Sequence, residues 1–391
     1  MEEKVGFLIG AGASYELGLP LVDELTIEFK RALLRTKEMP YYRVPKEISS
    51  IVFPLLESDD LNYEDIIGRI EVEIQRCRGN NNLYQKWYGI LARYLEAVFY
   101  LLLERHDKNK TFIKARLDLF EPLKNYCCNN PLWIFSLNHD LLVEIIAKHL
   151  GIPIKFGFKD TIQINGLTFE KLSRENMEKN QFSFFQKDPG INLIKLHGAL
   201  DVFVEGDEKN YLKIINQGND ITGIIDDVSK ILEGDASTKE GVKCTNHITY
   251  YDEDNVLQFL RITIMSGKHK YSSRISHTMD DWFFKIYKGH INYIKNLYSI
   301  GYSFQDLHVN NVLYDWLTFS KERKLKIVNP HLSRIPNYFS HISDQIEIIN
   351  LGFLEFLNQK SNKNQMLAMI NSKLRNYSRK KFIKSKNITK G

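Results

Sequence analysis

The chain has 391 residues, 43% hydrophobic and 26% charged, which excludes wholesale disorder and provides enough apolar material for a large core. It contains no uninterrupted apolar run of the roughly 18 residues that a membrane-spanning helix requires. The formal net charge of +5 is unevenly placed. Lys373, Arg375, Arg379, Lys380, Lys381, Lys384, Lys386 and Lys390 put eight cations and no acid into the last nineteen residues, so the rest of the chain sums to −3.

A basic tail of this kind reads either as a contact for nucleic acid or an acidic partner, or as a solvated, partly disordered end. The opening Met1-Glu2-Glu3-Lys4 is polar and leads directly into an apolar run, unlike a secretory leader, so a cytoplasmic location is expected. Cys77, Cys127, Cys128 and Cys244 form no C-x-x-C pair, and no two histidines stand four apart on a helical pattern. A zinc site of that spacing is excluded, and no metal is expected.

Val5 to Ile9 is an apolar run of strand length, followed by Gly10-Ala11-Gly12-Ala13-Ser14 and a helix-forming segment. Gly10 and Gly12 lack a Cβ, so the backbone there can turn tightly and bring its N–H groups close to a ligand. A helix start also presents unpaired N–H groups to a phosphate. The stretch reads as a diphosphate cradle on the first strand of an α/β sheet, with Ser14 either bonding phosphate or capping. A purely structural turn is the alternative.

Residues 21–38 carry an apolar face (Leu21, Leu25, Phe29, Leu33), and helical patterns continue through 126 without a strand signal. This predicts a helical insertion between two strands of the sheet. Strand-like runs return at Leu132 to Leu137 and Ile191 to Leu196. They recur at Asn296 to Ile300 and Leu325 to Val328. Each ends in small or polar residues: Asn138 and Asp140, His197-Gly198, Gly301-Tyr302-Ser303, and Asn329. In open parallel α/β sheets the ligand lies beyond the carboxyl ends of the strands, so this clustering points to a site. The runs are apolar throughout rather than alternating, as in strands buried on both faces.

Residues 204–280 read as a second insertion of exposed acidic loops (Asp207, Glu208, Asp220, Asp226, Asp227, Asp235, Glu240) with a helix near Asp227 to Leu232 and a strand at Gln258 to Met265. Residues 341–371 read as helical, ahead of the basic tail. The expected organisation is a domain over 1–335, with insertions at 21–126 and 204–280, then a helical segment over 336–391.

Among the strand-end residues, His197 is the leading general base, with Gly198 leaving room for a substrate beside the imidazole. Asn138 can orient a ribose hydroxyl or a water. Asp140 can either hold a carboxamide or cap the following helix. His139 is expected to point away. Ser303 can serve a ribose or phosphate, and Asp306 reads as a helix cap rather than a catalytic group. The dehydrogenase fingerprint is incomplete, because the segment after the glycines is helical where a second strand should end in an acid, and there is no Gly-Lys-Ser/Thr.

These motifs, in this order, resemble the sirtuin superfamily. Gly10 to Ser14 with Gly18-Leu19-Pro20 is similar to its Gly-Ala-Gly-x-Ser and Gly-Ile-Pro signature. Leu137 to Asp140 is similar to Gln-Asn-Ile-Asp, and Lys195 to Gly198 to the strand bearing the catalytic histidine. Gly301 to Phe304 is similar to the Gly-Thr-Ser motif, and Val328-Asn329 to the strand with a ribose-binding asparagine. The zinc module of deacylating sirtuins is absent, and Leu137 replaces the glutamine.

The long helical insert and the Gly-Tyr-Ser-Phe form resemble instead the sirtuin-like domains of bacterial anti-phage defence proteins that cleave NAD. The resemblance implies a Rossmann-like fold and an NAD glycohydrolase releasing nicotinamide and ADP-ribose, with NAD as substrate. It implies catalytic roles for Asn138, His197 and Asp140, and cofactor contacts from Gly10, Ala11, Gly12, Ser14, Gly301, Ser303 and Asn329. It further implies a homo-oligomer, with a HerA-type ATPase as a plausible partner. The alternatives are a non-catalytic nucleotide-binding subunit of a nucleic-acid-acting complex and an NAD-dependent protein deacylase.

Overall fold

The computed structural model describes residues 4–35, 44–77, 79–206, 210–236, 247–252, 254–267, 270 and 281–387. Residues 1–3, Asp207, Glu208, Glu240, Cys244 and Lys390, which figure in the sequence reading, lie outside them. The centre of the molecule is a seven-stranded, wholly parallel sheet in the order β13-β12-β11-β1-β2-β6-β3. Its principal strands are β1 (Val5–Ile9), β2 (Leu132–Ser136), β6 (Ile191–Lys195), β11 (Asn296–Ile300) and β12 (Lys324–Val328), as the apolar runs predicted. The edges are β3 (Ile154–Lys155) and β13 (Ile346–Ile349). Every residue of β2 and β6 is buried.

Alternate strand residues feed two cores. Phe7, Ile9, Ile134 and Leu193 face one, and Leu8, Phe135, Ile194 and Leu297 face the other. The first core is closed by helices between β1 and β2: α1 (Ala11–Tyr15), α2 (Val22–Arg35), α3 (Lys46–Glu57), α4 (Tyr63–Arg76) and α5 (Asn81–Lys114). Helix α6 (Leu142–Leu150), which follows β2, joins them. Helix α4 starts on a complete capping box, in which Asn62 and Asp65 satisfy each other's backbone N–H. The second core is closed by α9 (Trp282–His290) and α10 (Leu307–Phe319).

Several expectations are corrected. Residues 346–349 were expected to be helical but form β13, because Ile346, Ile348 and Ile349 pair with the edge of β12. The described residues of 204–280 are not mainly loops. They complete a second, antiparallel sheet, β4-β5-β8-β7-β10-β9, made of β4 (Asp160–Ile164), β5 (Leu167–Ser173), β7 (Val202–Glu205), β8 (Asn210–Ile214), β9 (His247–Tyr251) and β10 (Leu257–Ile262). Helix α7 (Arg174–Glu178) follows β5, and α8 (Gly223–Glu233) packs on α5.

A buried ionic cluster ties this sheet to the first. Lys213 of β8 pairs with Asp201 and lies 3.2 Å from Glu144 of α6, and Lys195 of β6 lies 3.4 Å from Glu144.

The last helices are α11 (Phe353–Leu357) and α12 (Asn362–Asn387). The basic tail is therefore helix through Asn387. Its charges divide: Arg375 is buried and Arg379 is half-buried, whereas Lys373, Lys380, Lys381 and Lys384 are exposed. Among the described residues, no helix is long and apolar enough to cross a membrane.

Candidate functional site

Residues following the parallel strands are stitched to one another, which brings their side chains to one edge. Gly10 N–H donates to the Ile300 carbonyl at 2.9 Å and Leu137 N–H to that of Ile9 at 2.9 Å. Leu196 N–H donates to Ser136 at 2.8 Å, Gly301 N–H to Val328 at 3.1 Å, and Asn329 N–H to Ile349 at 3.1 Å. The loops after β1, β2, β6, β11, β12 and β13 thus begin at the same level. This is the geometry in which parallel α/β sheets present ligand-binding residues.

Four expected residues form one buried network. The Asn138 amide donates to the Gly10 carbonyl and to Ser14 Oγ, both at 2.9 Å. Ser14 Oγ donates in turn to Asp140 Oδ2. Asp140 Oδ1 accepts the N–H of Leu142, the first residue of α6, at 3.1 Å. Both Asp140 oxygens are thereby engaged within the protein. His106 of α5 lies behind the network, its Nε2 accepting Leu141 N–H at 3.1 Å.

The glycines have a reason the sequence did not disclose. A Cβ on Gly10 would stand 2.7 Å from the Gly301 carbonyl oxygen, and one on Gly12 would stand 2.7 Å from Gly301 Cα. Gly301, at φ +63°, would put its own Cβ 2.2 Å from Ala13 N. Gly12 N–H also donates to the Gly301 carbonyl at 3.0 Å. The two loops lie backbone on backbone, and the N–H groups of Gly10 and Gly12 are spent on that contact rather than presented to a ligand. Gly198 is corrected similarly: at φ +79°, its Cβ would sit 2.0 Å from the Thr263 carbonyl oxygen. That space is filled by the chain after β10, not left for a substrate beside the imidazole.

His197, 4% exposed, stands at the end of β6 with Nε2 3.2 Å from Asp306 Oδ2. Asp306 caps α10 by accepting the N–H groups of His308 at 3.0 Å and Val309 at 3.3 Å. Sequence reasoning stopped at that cap and missed the second role. Lys270 reaches the same carboxylate at 3.9 Å and Glu64 of α4 at 3.1 Å, so the helical layer contributes to the histidine's surroundings.

Burial, with Lys270, pushes the His197 imidazole below its ordinary value against the opposing pull of Asp306. Burial works to raise the Asp306 carboxyl, but the adjacent His197, Lys270 and the Val309 N–H outweigh it and hold it well below the usual carboxylate range. His139 does not point away. Its ring centroid lies 6.4 Å from that of His197, its Nδ1 is 3.2 Å from the Gly198 carbonyl oxygen, and burial lowers it to about 3.

The loop that carries Asp306 is held rigidly. Tyr302 Oη bonds the Asp306 backbone N–H at 3.2 Å and lies 3.0 Å from both the Asp306 carbonyl and Asn310 Oδ1. Phe304 sits at φ +59°, a conformation costly for a bulky residue, and its carbonyl is held by the Asn310 amide at 2.8 Å. Ser303 is exposed on this loop. Ala11 and Asn329 are half-buried, and Asn329 Oδ1 accepts His331 N–H at 2.9 Å, closing a local turn.

No protein-family profile and no curated protein matches the sequence. Among solved structures, Sir2Tm bound to a propionylated peptide aligns over 91% of this chain and 90% of that chain, at 14% identity and a TM-score of 0.35. A Sir2 with p53 peptide and NAD+ aligns over 93% of both chains at 12% identity and a TM-score of 0.35. A triple mutant of a Sir2 homologue with 2′-O-acetyl ADP ribose aligns over 96% of this chain and 94% of that chain, at 12% identity and a TM-score of 0.39. What the site can do follows from its own geometry.

Proposed function

We propose that the protein is an NAD glycohydrolase, releasing nicotinamide and ADP-ribose. The observation that carries this reading is the convergence, at one sheet edge, of the Gly10–Ser14 loop, the Asn138–Ser14–Asp140 network and a buried His197. The reading places the dinucleotide against the Gly10–Ser14 loop, whose shape Gly10, Gly12 and Gly301 set through their backbone contact, with Ala11, Ser14, Ser303 and Asn329 beside it. It assigns Asn138 to positioning the nicotinamide ribose and the attacking water, and Asp140 to holding the carboxamide.

The C1′–N bond breaks with its electron pair leaving on nicotinamide. A water oxygen bonds to C1′, and the water's proton passes to His197, kept neutral as an acceptor by its buried setting. Displacement through an oxocarbenium-like state needs positioning and charge stabilisation more than a strong nucleophile. The motif resemblance extends the reading to an anti-phage effector that depletes NAD, works as an oligomer and is restrained by a partner such as a HerA-type ATPase.

The test is NAD consumption, with nicotinamide and ADP-ribose followed for wild type, Asn138→Ala and His197→Ala. It is run on the purified chain and in phage-infected cells carrying the neighbouring genes. Loss of NAD that requires both residues supports the hydrolase. NAD left intact in infected, protected cells refutes it. Release of 2′-O-acetyl-ADP-ribose from an acetyl-lysine peptide would replace it with a deacylase. Nucleic-acid binding through Lys373, Lys380, Lys381 and Lys384 is read separately, as a salt-dependent affinity that flattens when they are neutralised.

A further inference from the structure

We propose that Asp306 is the positioning residue for His197, fixing the imidazole as the Nε2–H tautomer and supporting the charge the ring acquires when it takes a proton. The inference deepens the reading above and rests on it for the identity of the proton donor. Its own ground is geometric. Asp306 Oδ2 stands 3.2 Å from His197 Nε2, and both side chains are largely buried. A carboxylate accepts only, so with Asp306 Oδ2 within ion-pair range of Nε2 we place the ring hydrogen on Nε2 and the basic lone pair on Nδ1. A proton added at Nδ1 leaves the Nε2–H on Asp306, and the positive charge forms beside a carboxylate that is already ionised.

The loop is built to hold this carboxylate still. Oδ1 is occupied by the first turn of α10, which leaves Oδ2 for the histidine. Tyr302 and Asn310 brace the loop from either end, and Phe304 is kept in a conformation that would relax without them. A cap alone requires none of this, since an asparagine or serine at the start of an exposed helix serves equally.

Among the described residues, the charged and titratable groups facing His197 are Asp306 from the loop after β11, Lys270 from the segment after β10, Glu64 from α4, and His139 from the loop after β2. Asp306 and Glu64 favour the protonated ring, whereas Lys270 opposes it. The dyad is therefore tuned in both directions, and two substitutions should move the histidine oppositely. Asp306→Asn keeps a side chain able to cap α10, so the fold survives, but it turns an acceptor into a potential donor at Nε2. Lys270→Met removes the opposing cation.

The experiment is 15N side-chain NMR of the histidine-labelled full chain, with His197 assigned by His197→Gln, alongside the pH profile of NAD cleavage. Wild type should show the Nε2–H tautomer. Asp306→Asn should move the ring toward Nδ1–H, lower its titration midpoint and cut kcat by about 10²-fold, in line with the usual worth of general base catalysis. The acid limb of kcat/KM should shift to lower pH. Lys270→Met should shift both the midpoint and the acid limb to higher pH.

An unchanged tautomer and midpoint in Asp306→Asn would overturn the proposal, whatever happens to the rate. The NMR readout needs no turnover. If His197 responds as expected while no variant cleaves NAD, the dyad stands and the hydrolase reading falls. If NAD is cleaved and His197 ignores Asp306, the reverse holds.

Discussion

Arg375 of α12 is the cation on which the C-terminal helix depends, and replacing it with methionine isolates that role. Its guanidinium, 8% exposed, donates through Nη2 to both Glu24 carboxylate oxygens at 2.9 Å. It also donates to the carbonyls of Tyr15 at 3.2 Å and Leu19 at 3.1 Å, and it lies 4.5 Å from the centre of the Tyr15 ring. Methionine keeps most of the apolar volume but removes every one of these bonds and strands Glu24, 1% exposed, as an uncompensated charge.

Breaking a buried pair from one side costs about 3–5 kcal/mol. The two carbonyls add to that, but they share one guanidinium and do not sum independently. Glu24 retains one bond, from the Leu21 N–H at 3.2 Å, which favours the lower end. We expect Arg375→Met to lose about 3 kcal/mol in urea unfolding at unchanged m-value, so that the loss is read as stability. Glu24→Gln combined with it should recover part of the loss, because the stranded charge is gone. A single-variant loss below about 1 kcal/mol, the scale of an exposed pair, would refute the argument.

Three further outcomes follow from the same contacts. Burial raises the Glu16 carboxyl from 4.5 to about 7 even though it accepts the Leu354 N–H at 2.8 Å. The folded protein therefore holds the extra proton between those values, and stability is full below the window and declines as pH rises through it. Glu16→Gln should abolish that decline, and a urea midpoint that still falls between pH 4.5 and 7.5 in the variant would discount Glu16.

Lys213→Met leaves Asp201 and Glu144 buried without their shared cation and should cost about 3–5 kcal/mol by chemical denaturation. A near-neutral result would mean that the cluster contributes little to holding the two sheets together. Gly301→Ala must pay both for a left-handed backbone and for a Cβ 2.2 Å from Ala13 N. It should lower the melting temperature and weaken NAD binding by calorimetry, and normal affinity would show that the contact between the two loops is dispensable to the site.

Much of the parallel sheet was legible in advance because strands buried on both faces must be apolar throughout, and their ends are marked by the abrupt change to Gly, Asn, His and Asp. The antiparallel sheet was not. β4 and β10 keep exposed or half-exposed residues along most of their length, so their composition resembles that of a loop. β13 was mistaken for helix because four residues are too few to separate a period of 2 from one of 3.6. At the site, the strand-end residues could be named individually. Asp306 could be named only as a cap, and Lys270 and Glu64 not at all, since Glu64 and Lys270 are 206 positions apart and meet only through packing.

By itself, then, the sequence determined which segments are buried strands and which polar residues terminate them, because those properties are local and set by hydrophobicity and backbone freedom. Tertiary structure decided what the residues do. It made Gly10, Gly12 and Gly301 a backbone-to-backbone contact and turned a helix cap into the partner of His197. It also folded two of the tail cations back, Arg375 onto Glu24 and the first loop and Arg379 onto Asp23. Those outcomes depend on distances between segments far apart in the chain, and such distances exist only once the cores on both faces of the sheet have closed.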